Sequence, residues 1–520
     1  MRFRSLTLIK KMEPRRNEEH EERSRLSVVG SRLSKSQISE TRNPKRETRN
    51  PIFLRVLRVL RSENACKLYK YFAHSNMKTI LLLCLLLLPF TSIAQPPARK
   101  YTTIERLQPE RLRAVHKDRL RHQQQRKQLR VIKGYNDYRA IMHVHAEDSA
   151  HTGGTRPELL AACKRTGINI VLLTNHVRPP VDFINDSWRG LREGVLFIPG
   201  AEHEGFLSYP MNSILNRKTK GRDEYIQTVK AGGGQIFLSH IEERPDWSTA
   251  QLTGMEIYNH HADFKPELEF LRWLPTTLSD PDGIAKVQQI LRDYPQEFFG
   301  ATQDYLSDYI RKWDADSQLH RVTGIAANDC HHNQVITVKV AAPDTVTLWL
   351  TGDKEPTFTV KASRAPRIPE LTKGKQIGDT IAVIDIDPYD RSLRYVTTHL
   401  LAKKLNEDAV RQALQQAHAY VSHDWLCDPT GFAFVVNKDA RQAGMMGDEV
   451  KFGAGMKLQI AAPTSGLIRL FRNGVVVQES KSDAMDFAVA EAGIYRAEVW
   501  LELDGEWRPW LYANPIRFLR

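Results

Sequence analysis

Short apolar stretches of this chain run, one after another, into histidine or carboxylate, and no other feature constrains the fold as tightly. Tyr138 to Val144 ends in His143-Val144-His145, and Ile168 to Leu173 is followed by Thr174-Asn175-His176. Val195–Ile198 leads to Gly200-Ala201-Glu202-His203, and Gln235–Leu238 to Ser239-His240. Met255–Tyr258 leads into Asn259-His260-His261, and Val322–Ala326 into Asn328-Asp329-Cys330-His331-His332. Helical patterns separate these stretches, around Arg222–Ala231, Lys265–Leu274, Gly283–Tyr294 and Tyr305–Trp313. The first unit is explicit. Thr155 is an N-cap, Pro157 sits in the first turn of a helix over Glu158–Arg165, and Gly167 stops it before a β-branched strand. Strands alternating with helices imply a parallel sheet with covered faces, as an α/β barrel or an open α/β sheet. Active sites of α/β barrels form at the rim where the strands end.

Residues i and i+2 of a strand share a face, so His143 and His145 converge as a metal half-site. Asp148 and His151 follow closely. One catalytic zinc takes three protein ligands, whereas His143, His145, His151, His176, Glu202, His240, Asp329 and His331 together exceed one site. Two or three ions are expected, with Glu202 as a bridging carboxylate. Such a cluster suits hydrolysis of a phosphate ester, because metals acidify water and neutralise phosphoryl oxygens. Arg178 and Arg244, just beyond His176 and His240, are candidates to clamp a phosphate. His203, His261 and His332 would face the other way. Cys330 reads as a small buried residue. Gly232-Gly233-Gly234 is a helix-to-strand turn without the residues of a phosphate-binding loop.

In order and spacing these motifs resemble the polymerase and histidinol phosphatase (PHP) superfamily, from about Tyr138 to Asn333. The resemblance implies a fold of class α/β: a distorted (β/α)7 barrel holding a trinuclear centre. His143, His145, Glu202 and Asp329 would hold the first metal. Glu202 would bridge to a second, shared with His240 and a residue of the Asn259-His260 region, taken as His260. His151, His176 and His331 would hold the third. The implied activity is hydrolysis of a phosphate mono- or diester by a metal-bridging hydroxide. Two to three divalent ions (Zn, Mn or Fe) are implied, and a small phosphorylated substrate. Glu202, Asp329, Arg178 and Arg244 are the expected catalytic set. The chain departs from the family's usual Thr-Asp-His at Asn175, and from its usual Thr after HxH at Ala146. Asp387-Pro388-Tyr389, Thr398-His399, Ser422-His423-Asp424-Trp425 and Asn514-Pro515-Ile516 resemble segments of secreted PHP-like proteins. There His399 and Asp424 are read as structural.

Beyond residue 435 the pattern becomes all-β. Val450–Phe452, Lys457–Ala461, Leu467–Arg472, Val475–Glu479, Asp486–Ala490, Ile494–Leu503 and Trp510–Phe518 are expected strands, joined by turns such as Arg472-Asn473-Gly474 and Leu503-Asp504-Gly505. A C-terminal Ig-like β-sandwich over 436–520 is therefore expected after a metallohydrolase barrel over 136–435. Residues 95–135 read as a charged helical linker.

The formal net charge of +14 suggests a nucleic-acid partner until it is located. Residues 1–94 hold 20 Lys and Arg against 8 Asp and Glu, and the remaining 426 residues hold 55 against 53. The body is nearly neutral, so no specific nucleic-acid partner is indicated. Met77-Lys78, the apolar run Ile80 to Leu88 and the exit Ser92-Ile93-Ala94 have the form of a signal peptide over 77–94, too short to span a bilayer. A periplasmic or secreted location follows. Residues 1–76 then read as a gene-model extension upstream of a start at Met77, the alternative being a real basic disordered tail. Three scattered cysteines beyond residue 94 make no disulfide framework. Two other functions compete. One is an amidohydrolase-type metallohydrolase acting on C–N bonds. The other is a non-catalytic metal-bound binding protein, with Trp500, Trp507 and Trp510 as a stacking surface.

Overall fold

The computed structural model describes residues 95–520 except 130, 131, 218 and 440. The extension and signal-peptide readings, residues 1–94, lie outside the described residues. The first strands are β1 (Asn136–Ile141), β2 (Ile170–Leu172), β3 (Asn175–His176), β4 (Gly190–Arg192), β5 (Val195–Ile198), β6 (Ala201–His203), β7 (Phe206–Tyr209), β8 (Gln235–Leu238), β9 (Gly254–Asn259) and β10 (Thr323–Ala327); all but β4 and β7 carry metal-type residues at, or shortly past, their ends. The helix after β1 forms as the sequence predicts. Thr155 and Glu158 make a reciprocal capping box over Arg156–Thr166, and Gly167 closes it at φ 74°.

These strands distribute over two sheets. β1, β2 and β5 are parallel neighbours, with Ile170 opposite both Ala140 and Leu196. The second sheet has the order β10-β9-β8-β7-β6-β3 and mixes parallel pairs with the antiparallel β6-β7-β8 meander. Hydrogen bonds join the sheets where the histidines emerge. Val144 bridges Cys330 in parallel, and the His145 amide donates to the Cys330 carbonyl at 3.0 Å. Thr174 N donates to Val144 O at 2.9 Å, and Glu202 N to Thr174 O at 3.0 Å. The residues at the ends of four separate strands are thereby stitched side by side.

A four-stranded antiparallel sheet follows His332: β11 (Val335–Ala342), β12 (Thr345–Trp349), β13 (Phe358–Lys361) and β14 (Thr380–Asp385), in the order β13-β12-β11-β14. The sequence reading assigned no strand there, although β11 alternates buried and half-buried residues along its length.

The C-terminal strands do not form a sheet of their own. β15 (Thr397–Ala402) pairs with β1, β16 (Ala419–Ser422) with β15, and β23 (Glu506–Ala513) with β16. β17 (Ala433–Lys438), β18 (Arg441–Met445), β19 (Glu449–Lys451), β20 (Lys457–Arg472), β21 (Val475–Ala488), β22 (Gly493–Leu503) and β24 (Ile516–Leu519) extend that same 14-stranded sheet. The expectation was a separate sandwich. The physical cause of the continuity is local: Tyr420, Val421, Leu511, Tyr512 and Ala513 are all buried, and they pair across β16 and β23. Asn514 adds a clamp. Its side chain accepts from Gly324 N at 2.7 Å and donates to Gly324 O and Ala419 O, tying β10 to β16. The expected breaks inside β20 and β21 are a register irregularity between Ala461 and Gly466 rather than turns. Asn473-Gly474 and Asp504-Gly505 do turn, with positive φ at both residues of each pair.

The charged segment before β1 is packed. Its helix Pro109–Gln125 buries Leu112 and Val115, and Arg106 pairs with buried Glu506 at 2.8 Å. Trp500 and Trp510 are buried, which removes the stacking surface expected of them. Among the described residues no helix is long and apolar enough to cross a membrane.

His399 and Asp424 belong to a buried network on β1, β15 and the 424–430 loop. His399 bonds Asp137 at 2.7 Å and Asp424 at 3.3 Å, and Arg139 bonds Asp424 at 3.0 Å. Burial lowers the His399 pKa, but the charges of Asp137 and Asp424 overcome this and raise it to about 9. A folded-state pKa above the unfolded value stabilises below the unfolded pKa and is lost as pH rises through the folded one. The stability difference between wild type and His399→Gln is therefore expected to be largest near pH 6 and to shrink towards pH 9.5. Urea unfolding at the two pH values checks it, and a difference that grows with pH refutes it.

Candidate metal centre

Seven of the expected ligands converge. In the group His143, Glu202, His240 and Asp329, and in the group His145, His176 and His331, the donor atoms lie within 4.8 Å of one another. The groups adjoin: the rings of His145 and His331 stack at 3.9 Å, and those of His143 and His145 lie 5.3 Å apart. Glu202 stands between them, with Oε2 3.2 Å from His176 Nε2 and Oε1 3.1 Å from His240 Nε2.

Each ring is held from behind. His143 Nδ1 bonds Glu256 at 2.8 Å, and His145 and His176 Nδ1 bond the same Asp148 oxygen at 3.0 and 2.7 Å. His240 Nδ1 meets Glu242 at 3.3 Å, and His331 Nδ1 meets the Asp329 carbonyl at 3.0 Å. Anchoring Nδ1 turns Nε2 inwards, as metal-ligating histidines require. The inward atoms are the orphans. His143 Nε2, His145 Nε2, His331 Nε2 and Asp329 Oδ1 are buried without a hydrogen-bond partner. Buried polar atoms normally have partners, so this convergent set fits a cation. The donors also suit borderline ions such as Zn, Mn or Fe.

The electrostatics agree. Burial raises the pKa of Glu202 and of Asp329, but surrounding imidazoles, His143 foremost, hold both carboxyls well below their usual range. Burial lowers the His143 pKa, yet Asp329, Glu202 and Glu256 bring it up to about 10. Asp148 and Glu202 raise His176 to about 9 against the same burial, and His240 also goes up beside Glu202. His145 falls to about 3 through burial and the neighbouring His331 and His176. The site thus gathers carboxylates whose charge is balanced by protons that a metal ion can replace. His240 and Asp329 both adopt left-handed backbone, φ 49° each. Such conformations cost on the order of 1–3 kcal/mol and concentrate at functional sites.

The remaining expected residues lie elsewhere. His151 is at the edge, its ring 5.3 Å from His176 and 5.1 Å from His331, with Nδ1 on Ser149 Oγ at 2.8 Å. His260 does not join the ligands. It begins a short helix, and its buried ring packs on Phe299 at 4.5 Å and Tyr395 at 4.7 Å. The neighbouring Asn259 supports the site indirectly, donating to Glu256 at 2.8 Å. Arg178 is exposed after His176. Arg244 is buried and donates to the carbonyls of Ser239 and His240, bracing the loop that carries His240. His332 is held between Glu158 and Asp385, and Cys330 is buried with its thiol pKa pushed up.

Three supporting carboxylates had no role in the sequence reading. Glu242 was not singled out. Glu256 was legible as a lone charge within an apolar strand, a pattern that demands a partner. Asp148 was noted only for its position. It is the hub of the outer group, since its other oxygen accepts from Ser149 at 3.1 Å and Thr152 at 2.5 Å. Asp148→Ala is expected to weaken metal binding by about 10–100-fold, measured by competition with a chromogenic chelator; unchanged affinity refutes this. Asn175 has a clear use. Its amide donates to Ala146 O at 2.9 Å and accepts from Ala146 N at 3.1 Å, a pairing that a carboxylate cannot complete.

No family model matches the chain, and no curated protein matches it. Among solved structures it is similar to a two-domain protein from Bacteroides vulgatus containing a predicted PHP-like metal-dependent phosphoesterase, at 13% identity and a TM-score of 0.32, over 75% of this chain and 98% of that one.

Proposed function

We propose that this chain is an exported, metal-dependent phosphoesterase of PHP type, acting on a small phosphorylated substrate. The observation that carries it is a set of buried atoms that make no hydrogen bond, His145 Nε2, His331 Nε2, His143 Nε2 and Asp329 Oδ1 (the last two facing each other at 3.2 Å), converging around Glu202. Bound divalent ions would supply positive charge for the phosphoryl oxygens and acidify water. His143, Glu202, His240 and Asp329 would hold one ion. His145, His176 and His331, with His151 at the edge, would hold another, and Glu202 reaches both groups. Glu202 and the Asp329/His331 pair, which have no obvious role in an amidohydrolase, favour the phosphoesterase reading over C–N hydrolysis. Arg178 at the rim neutralises a phosphate oxygen of the incoming ester. The distorted (β/α)7 barrel is the architecture we favour. Its support is the run of hydrogen bonds linking Cys330, Val144, Thr174 and Glu202. Export rests on the leader at 77–94.

Metal content of the purified protein, with p-nitrophenyl phosphate and bis-p-nitrophenyl phosphate as substrates, tests the reading. Two to three ions per chain with ester turnover support it. Metal without ester turnover moves the assignment to C–N hydrolysis or binding, and no metal after reconstitution with Zn and Mn overturns it. Because protons on His143 and His176 compete with metal, zinc retention is expected to rise with pH towards 9 to 10. Retention that falls over that range contradicts the ligand assignment. N-terminal sequencing of exported protein tests the leader; a mature end upstream of Met77 excludes it.

A further inference from the structure

We infer that the hairpin tip between β12 and β13, residues 350–357, positions His151 and thereby sets retention of the outermost metal ion. The inference rests on the metal-centre reading above. His151 is the one ligand expected of the outer group whose donors lie outside the tight cluster. It rides on the loop 147–154, which contains no helix or strand. What shapes that loop also places the imidazole.

Two faces of the loop are accounted for. On the inner side, Gly154 N donates to His331 O at 3.1 Å, and Glu147 N donates to Gly154 O at 3.0 Å. On the outer side the loop meets the hairpin tip, backbone against backbone. A Cβ on Gly352 would stand 2.1 Å from Ala150 O and 3.0 Å from the His151 Cα. A Cβ on Gly153 would stand 3.0 Å from Thr351 Cγ2. Gly352 also has φ +78°, so any side chain there is strained as well as obstructed. The tip is closed on itself. Asp353 accepts from Leu350 N at 3.0 Å and from the Thr357 hydroxyl, and Thr357 N donates to Leu348 O at 2.9 Å. The four-stranded sheet therefore ends in a preformed wedge seated on the peptide that carries His151. Gly352 and Asp353 are positioning residues.

The test uses the full chain loaded with Zn2+ and dialysed against metal-free buffer, with zinc per chain followed over time. Wild type is compared with Gly352→Val, Asp353→Ala and His151→Ala, and thermal melts verify folding. Asp353→Ala relaxes the tip without a clash, so a folding defect in Gly352→Val does not remove the test. Both tip variants are expected to lose the same most labile equivalent as His151→Ala, about 10–100-fold faster than wild type, while the inner zinc stays. Equal zinc loss in wild type and tip variants overturns the inference, as does loss confined to His151→Ala. A wild type that binds no zinc overturns the metal-centre reading itself, a separate outcome.

Discussion

His143→Ala is expected to strip metal from the inner ligand group and to lower phosphate-ester turnover by on the order of 10³-fold, because a metal ion contributes several kcal/mol of charge stabilisation and each 1.36 kcal/mol is tenfold in rate. His143 is fully buried, with Nδ1 on Glu256 and Nε2 3.2 Å from Asp329 and 3.6 Å from Glu202. Two nearby histidines are otherwise engaged: His145 belongs to the adjoining group, and His260 is packed on Phe299. Glu256 keeps the His240 amide and Asn259 as partners after the substitution, so the strand it sits on retains its hydrogen bonds. Elemental analysis, steady-state kinetics and circular dichroism on the same preparation check the result. Full metal content and unchanged kcat/KM would show that His143 is not a ligand.

The second large effect is on stability. Glu498 is fully buried on β22 and accepts from Arg496 at 2.6 Å, Trp500 Nε1 at 2.9 Å and the Tyr305 hydroxyl at 2.9 Å. Arg496 in turn reaches Asp314 on helix Ser307–Leu319 through bonds of 2.5 and 2.8 Å. Glu498→Ala leaves Arg496 with Asp314 alone and strips Trp500 Nε1 and the Tyr305 hydroxyl of their buried acceptor, at about 1–3 kcal/mol for each unsatisfied group. Glu498→Gln, which keeps acceptor capacity for Trp500 and Tyr305, is expected to cost less. Denaturant unfolding of the two variants checks both magnitude and order. Since the network lies on β22 and not among the metal ligands, folded protein should retain metal, and coincident loss of stability and zinc would refute that separation.

The residues that converge were legible because their signal is local. A strand fixes which residues share a face, and strand ends in an α/β fold gather at one rim. HxH, the Thr-Asn-His turn, Glu202, His240 and Asp329 could be named from those rules alone. His260 was misplaced because the chain turns into a helix at that residue, and a helix start re-aims successive side chains by about 100° each. Asp148 and Glu256 were present as letters, but their work is to bond a ring brought from elsewhere in the chain. Asp148 bonds His145 only three positions away, but it reaches His176 across 28, and His143 finds Glu256 across 113. No periodicity encodes such a pairing.

The C-terminal half separates the two kinds of information. The sequence by itself determined that 436–520 is built of strands, and that Asn473-Gly474 and Asp504-Gly505 turn between them, because alternation and left-handed φ are properties of neighbouring residues. Only the tertiary structure decided that β23 pairs with β16 and so joins the sheet that begins at β1, since edge pairing depends on which buried faces meet. The same holds at the metal centre. Composition and spacing named the candidate donors; the orientation of the His176 and His143 rings was decided by carboxylates arriving through the fold.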